Sequence, residues 1–450
     1  MTSRARCGRV TLTLAVVAGV MCAARAAAAP GDLDRTFGGD GRVVTNLTGS
    51  SDSVADVAIQ ANGRIVVVGR TPGRRYGKFA LARYRPDGRL DQTFGGDGIV
   101  TTNMAKREDA ASAVTIQTDG RIVVVGTASI RARRVFAIAR YDPDGTLDAG
   151  FGNNGKARIG FTQGGDDAAA DVAVQPDGRI VVVGSSFDLD RFALARLDPD
   201  GTLDPTFHAD GKVTTSVSNG ADSAEAVAIQ PDGKIVVVGE SWTLSGWDGI
   251  DVARYETDGQ VDPTFGIDGV ATVDLTEGSD GAGDMARAVA IQPDGKIVVA
   301  GDAGGAAEFT SGFGLARFDD DGTPDASFHG DGTVVTNFTR WDDSASDLAI
   351  QADGKIVVVG VAGYSWDTVA TFALVRYAPD GTLDGSFGDH GKLRTRFRAR
   401  IPDDPVGIVG AWARGVAIDA DGRIVAAGGV DRVVDGHLDG RFALARYRVG

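Results

Sequence analysis

The sequence predicts an all-β protein, a seven-bladed β-propeller with four strands per blade, closed by an N-terminal strand that completes the last blade. Three observations carry this. Close copies of VAIQPDGKIVVVG (Val227–Gly239) start at Val57, Val114, Val172, Val227, Val289, Leu348 and Val416, so one unit recurs seven times. Each copy sets two apolar runs around an Asp-Gly or Asn-Gly turn, which is a hairpin signal. The chain ends are complementary: the last unit stops at FALARYRVG (Phe442–Gly450), while LDRTFGGDGRVVTN (Leu33–Asn46) stands alone ahead of the first. A closed ring joins such halves in one blade, whereas an open solenoid, the alternative, needs polar caps at its ends.

Taken in order, residues 1–29 read as a cleaved signal peptide: Arg4, Arg6 and Arg9 precede an apolar run through Val20, followed by small residues up to Ala29. The run is shorter than the roughly 20 residues a membrane span needs. Cys22 follows Met21, where lipidation requires a small residue, so a lipid anchor is not expected. Both cysteines, Cys7 and Cys22, fall in this segment, so the mature chain is expected to be secreted, extracellular or periplasmic, with no thiol or disulfide. Residues 30–450 then form one propeller domain, expected to be a monomer. Cleavage removes Arg4, Arg6, Arg9 and Arg25 and no acid, taking the net charge from −15 to −19. That field argues against nucleic acid and membrane surfaces as partners.

Each unit reads D-x-A-x-x-VAIQ, a P-D-G turn, KIVVVG, a loop of variable length, FALARY, a second P-D-G, L-D-x-x-F-G-x-D-G and a short strand such as KVTT. The phenylalanines after the second turn, Phe37, Phe94, Phe151, Phe207, Phe265, Phe328 and Phe387, are spaced by 57, 57, 56, 58, 63 and 59 residues. This exceeds the ~40–45 residues of WD40 units and the ~50 of kelch units, which suits four strands with longer loops. In FALAR, Phe192 and Leu194 point to one face and Ala193 and Ala195 to the other, so a bulky face can meet a small-residue face of the next sheet.

The VAIQPDGKIVVVG, FALARYxPDG and LDxxFGxDG blocks resemble the delta-60 repeat family, β-propellers that carry a domain-of-unknown-function label in exported bacterial proteins. The resemblance spans about residues 31–450. It implies fold and export, and no activity or site.

Most repeated polar residues read as architecture. Arg83, Arg140, Arg196, Arg254, Arg317, Arg376 and Arg446 end the third strands, and Asp34, Asp91, Asp148, Asp204, Asp262, Asp325 and Asp384 follow the next turns. Seven bridges tying down seven turns are expected, against the alternative of solvated charges worth little. DPDGTLD at Asp142–Asp148 and Asp198–Asp204, and DDDGTPD at Asp319–Asp325, have spacings reminiscent of calcium loops. Arg85 and Ala378 take the first position elsewhere and no bidentate glutamate follows, so plain turns without metal or cofactor are expected. His208, His329, His390 and His437 are scattered, and no catalytic triad or metal motif can be read.

Variation concentrates in the second–third strand loops and the inter-blade loops, which strand order puts on one side of the disc. They contain Trp242, Trp247, Trp341, Tyr364, Trp366 and Trp412, the expected ligand-binding residues, while arginines such as Arg70, Arg131 and Arg134 lie on the same side in the first two units. The functional expectation is a binding scaffold for a glycan or protein. The alternative is a propeller-type lyase or hydrolase using carboxylates near the channel. The inner strands read as nearly uniform apart from the seventh, where Ala411 replaces the repeated aspartate and Asp419 the glutamine, which favours binding over catalysis.

Overall fold

In a computed structural model, which describes residues 29–449 apart from 49–50, 74, 132, 244–245, 277–282, 305–310, 365–368, 398–407 and 435–436, the chain forms seven four-stranded antiparallel sheets. Blade 1 runs outward from the inner strand Ser53–Ile59 through Ile65–Pro72 and Gly77–Tyr84 to Ile99–Thr102. The inner strands of blades 2–6 are Asp109–Ile116, Asp167–Val174, Ala221–Ile229, Met285–Ile291 and Asp342–Ile350. Blade 7 is built from both ends of the chain. Ile408–Ile418, Ile424–Val434 and His437–Tyr447 supply its first three strands, and Arg42–Thr45 is the outermost, in register from Arg42↔Ala445 to Thr45↔Phe442. Leu33 adds a bridge to Tyr447. The expected closure is therefore present, and among the described residues there is no helix.

The core lies between the sheets. Phe79 and Leu81 of blade 1 cluster with Ala137 and Ala139 of blade 2, and Phe372 and Leu374 of blade 6 with Ala443 and Ala445 of blade 7. The two faces of FALAR thus alternate around the ring as bulky against small, which lets neighbouring sheets approach at interior packing density. The glycine that ends the VVVG run of blade 4 is needed on both counts: a Cβ on Gly239 would stand 2.0 Å from the Ser223 carbonyl oxygen of its own sheet and 2.8 Å from the Phe192 ring of blade 3.

One feature was not expected. Every inner strand carries a register shift three residues after the position of the repeated aspartate, between Val54 and Asp56 in blade 1 and at the matching places in the other six. Such a bulge adds an unpaired residue and re-aims its side chain. The extra residues are Ala55, Ser112, Ala170, Glu225, Arg287, Ser346 and Arg414, and all seven line a cavity of about 150 Å³ in the central channel.

Candidate functional site

The two faces of the disc differ in chemistry. On the turn face, all seven predicted Arg–Asp bridges form, at 2.6–3.0 Å. Each guanidinium also lies over the phenylalanine that follows its aspartate, 4.4–4.9 Å from the ring centre. A third contact is not visible in any single repeat: each arginine donates to a main-chain carbonyl of the next blade, as Arg83 does to Pro143, Arg196 to Thr257 and Arg446 to Pro86 across the closure. Burial alone would raise the Asp91 carboxyl, but hydrogen bonds from the Thr93 hydroxyl and amide and from Arg64, with the Arg83 charge, outweigh it and hold it at about 2. Carboxylates of the calcium-like turns are engaged locally: Asp142 meets Arg121, Asp144 accepts from Thr146, and Asp148 pairs with Arg140. His208, His329 and His390 adopt left-handed backbone in the turns, with φ of 47°, 54° and 52°. This face is structural, with the same cluster repeated around the ring.

The repeated aspartate at the head of the inner strand is structural too. Asp52, Asp109, Asp167, Asp222, Asp284 and Asp343 each accept an amide of the preceding inter-blade loop at 2.6–3.0 Å, from Leu47, Met104, Phe161, Val217, Leu275 and Phe338. Ala411 removes this cap from blade 7.

The channel is where symmetry breaks, contrary to the expectation of uniform inner strands. Glu225, Arg287 and Arg414 occupy the bulge in blades 4, 5 and 7, whereas the other blades carry alanine or serine. Arg287 stands 3.9 Å from Glu225 and 3.6 Å from Asp302. Glu240 belongs to the same cluster. Burial, reinforced by the nearby Glu225 and Asp302 charges and only partly offset by Arg287, pushes its carboxyl up to about 7. Burial likewise raises Glu225 and Asp302. Glu240 Oε2 and Asp302 Oδ1 are buried acceptors that receive no hydrogen bond.

On the variable face, Trp242 is 59% exposed. It lies two residues beyond Glu240 on the strand Ile235–Thr243, in step with the inner strand but with a register shift against the following strand between the two residues. Trp247 is its register partner on the next strand. Trp341 sits half-buried in the loop between blades 5 and 6, its amide donating to Thr339 Oγ1 and the Arg340 guanidinium 5.0 Å over its ring. Trp412 is half-buried against its own blade, where a Cβ on Gly429 would come within 2.9 Å of its indole nitrogen. Tyr364 ends the strand Ile356–Tyr364, and Trp366 lies outside the described residues. The arginines of this side are partly used as ties: Arg70 meets Glu108 at 2.7 Å and Arg134 meets Asp166 at 3.3 Å.

Residues 60–94, 117–151, 175–207, 230–265, 292–328 and 351–387 match the family model described as a domain of unknown function (DUF5122) β-propeller. Six of the seven units match this model. Each matched stretch runs from the residue after VAI to the phenylalanine of the turn cluster, for example Gln60 to Phe94. The shared pattern therefore covers the blade hairpins and the turn face, and leaves out the bulge and the inter-blade loops. No curated protein matches the chain in sequence. Among solved structures it is similar to a catalytically inactive virginiamycin B lyase from Staphylococcus aureus with quinupristin, at 9% identity and TM-score 0.48, covering 90% of this chain and 98% of that one. It is also similar to polysaccharide lyase Uly1, at 11% identity and TM-score 0.48, covering 90% and 91%. A third is the GH93 α-L-arabinofuranosidase of Fusarium graminearum with arabinobiose, at 9% identity and TM-score 0.47, covering 72% and 92%.

Proposed function

We propose that this protein is an exported binding scaffold of the delta-60 type, released as a monomer after loss of residues 1–29, which takes a glycan or protein ligand on its variable-loop face. The supporting observation is the contrast between the faces. Seven near-identical Arg–Asp–Phe clusters hold the turn side, while the other side carries an exposed indole at Trp242, two residues along the strand from Glu240 of the channel cluster, where Glu240 and Asp302 each keep a buried acceptor oxygen without a hydrogen bond. An aromatic platform beside hydrogen-bond acceptors can take the apolar face and the hydroxyl groups of a sugar, or an aromatic-rich peptide. Trp247, Trp341, Tyr364, Trp366 and Trp412 complete the proposed surface.

Trp242→Ala is expected to leave the melting temperature almost unchanged, since an exposed side chain costs within about 0.5 kcal/mol, and to weaken a ligand found on a glycan array roughly tenfold or more. Trp412→Ala, by contrast, should lower the melting temperature through lost packing. A marked fall in stability for Trp242→Ala would turn the proposed platform into a plug and end this reading.

A second reading, an extracellular lyase or hydrolase, is favoured by one observation: Glu240, held near neutrality, stands in a cluster with Glu225 and Arg287, as acid–base chemistry would need. Turnover of a polysaccharide that is abolished in Glu225→Gln would carry it.

A further inference from the structure

The channel has its own system of hydrogen bonds, independent of the aromatic face. The bulge leaves the amide of the residue two beyond the extra one turned away from its neighbouring strand. In blade 1 the Gln60 amide bonds to the Arg64 carbonyl, so alternation places Val57 among the residues that do not bond to the second strand. Its amide goes instead to Asp56, at 2.6 Å. The other oxygen of Asp56 accepts the Val114 amide of blade 2 at 2.8 Å, so one carboxylate serves two blades. Asp171 does the same for Val172 and Val227, and Asp347 for Leu348 and Val416.

Three carboxylates thus serve six blades, and blade 5 is the exception. The residue after its own bulge is Ala288 and that of blade 4 is Ala226, so neither supplies a carboxylate to Val289. The Gln292 amide bonds to the Lys296 carbonyl, so the same alternation turns the Val289 amide to the channel, and among the described residues no acceptor meets it. Val289 is also the only residue of its kind that lines the cavity. Two cations stand beside it. Arg287 is two residues back, paired with Glu225 at 3.9 Å and Asp302 at 3.6 Å and with a guanidinium nitrogen 2.9 Å from the Met285 sulfur, and Arg414 makes no hydrogen bond or ion pair among the described residues. Burial first, and then the charge of Arg287, lower the Arg414 guanidinium from its usual range, which places the two cations near one another.

We infer that the channel at blade 5 binds the carboxylate group of a small ligand, held by the Val289 amide and by the guanidinium groups of Arg287 and Arg414. The argument is internal: a carboxylate accepts this amide in each of the other six blades, and here a ligand would supply it. A carboxylate fits better than a phosphate, because Glu225 and Asp347 line this space, with the Asp302 charge close enough to act on Arg414, and a second negative charge would meet them. The cavity of about 150 Å³ takes one small residue, such as a uronic acid or the C-terminal residue of a peptide.

Titration calorimetry of the mature protein with D-glucuronate, N-acetylglycine and glucose tests this. At least one carboxylate is expected to bind with 1:1 stoichiometry, with glucose about tenfold weaker or worse, and which carboxylate binds identifies a sugar or a peptide source. Ala288→Asp places a carboxylate where Asp56, Asp171 and Asp347 have theirs, and is expected to abolish binding with no loss in melting temperature. Arg414→Gln should weaken binding about tenfold. Trp242→Ala should bind as the unaltered protein does, so failure of the aromatic-face proposal leaves this one standing. No saturable binding of either carboxylate, or unchanged affinity in Ala288→Asp, would overturn the inference. Should Ala288→Asp fail to fold, unchanged affinity in Arg414→Gln decides against it.

Discussion

A mature chain lacking residues 30–46 is expected to lose its cooperative melt and to aggregate. The deletion strips the outermost strand from His437–Tyr447 and leaves a bare hydrogen-bonding edge. It also removes Asp34, which pairs with the buried Arg446 at 2.9 Å, and Phe37, which is wholly buried beneath that guanidinium. Breaking one partner of a buried ion pair costs about 3–5 kcal/mol, and losing a buried phenylalanine about as much again. Together these rival the whole stability of a typical domain, ~5–15 kcal/mol. Thermal melts and size-exclusion chromatography read the outcome, and a synthetic peptide of residues 30–46 should restore part of the melt when added back. A truncated protein that melts with the full chain would falsify the closure.

Arg196→Ala should destabilise by about 3–5 kcal/mol, because Asp204, only 1% exposed, loses its closest cation and keeps only Arg179 at 3.1 Å. The change also uncovers Phe207 and frees the Thr257 carbonyl of blade 4. Asp204→Ala should cost a similar amount, and the double variant less than the sum. Urea unfolding midpoints would show this, and two unaltered midpoints would return the bridge to the class of solvated pairs. The same clusters set the acid limit. Burial opposes ionisation of Asp204, but hydrogen bonds from Thr206 and Arg196 and the Arg196 charge prevail and lower its pKa. A carboxylate with a depressed pKa in the fold adds stability that is present above its unfolded value and lost as pH falls through the folded one. Since Asp91 is held at about 2, stability should fall steadily between about pH 4 and pH 2, with a weaker fall in Asp204→Ala.

Much of the fold is legible in the repeats because the constraint is repeated. Leu33–Asn46 and Phe442–Gly450 are halves of one unit, and only a closed ring uses both. Six of the seven Arg–Asp bridges are equally plain, since partners eight residues apart around a turn are close in the chain as well as in space, and the seventh, Arg446 with Asp34, follows from the closure. Their link to the next blade is not, because Arg83 and Pro143 are separated by 60 residues and nothing in one unit points to the other. The channel was missed for a different reason. In D-x-A-x-x-VAIQ the two adjacent variable positions read as filler, and a strand taken as simple alternation cannot show that a bulge turns both toward the lumen. Glu225, Arg287 and Arg414 were therefore hidden in the positions that a consensus discards, although a charged residue in place of alanine or serine was a signal available in the sequence. The tryptophans were visible as types, but their roles depend on packing: Trp412 lies against Gly429, whereas Trp242 is exposed.

The carboxylates of the channel carry a consequence of parity. Each latches two adjacent blades, so the ring consists of the couples 1–2, 3–4 and 6–7 with blade 5 left single. An even-numbered ring could be latched in pairs throughout. A seven-membered one must have a seam, and here it coincides with the longest interval between turn phenylalanines, the 63 residues from Phe265 to Phe328. Mechanically the disc is a hoop with one unlatched stave, and Arg287, one of the two lumen cations, stands in that stave.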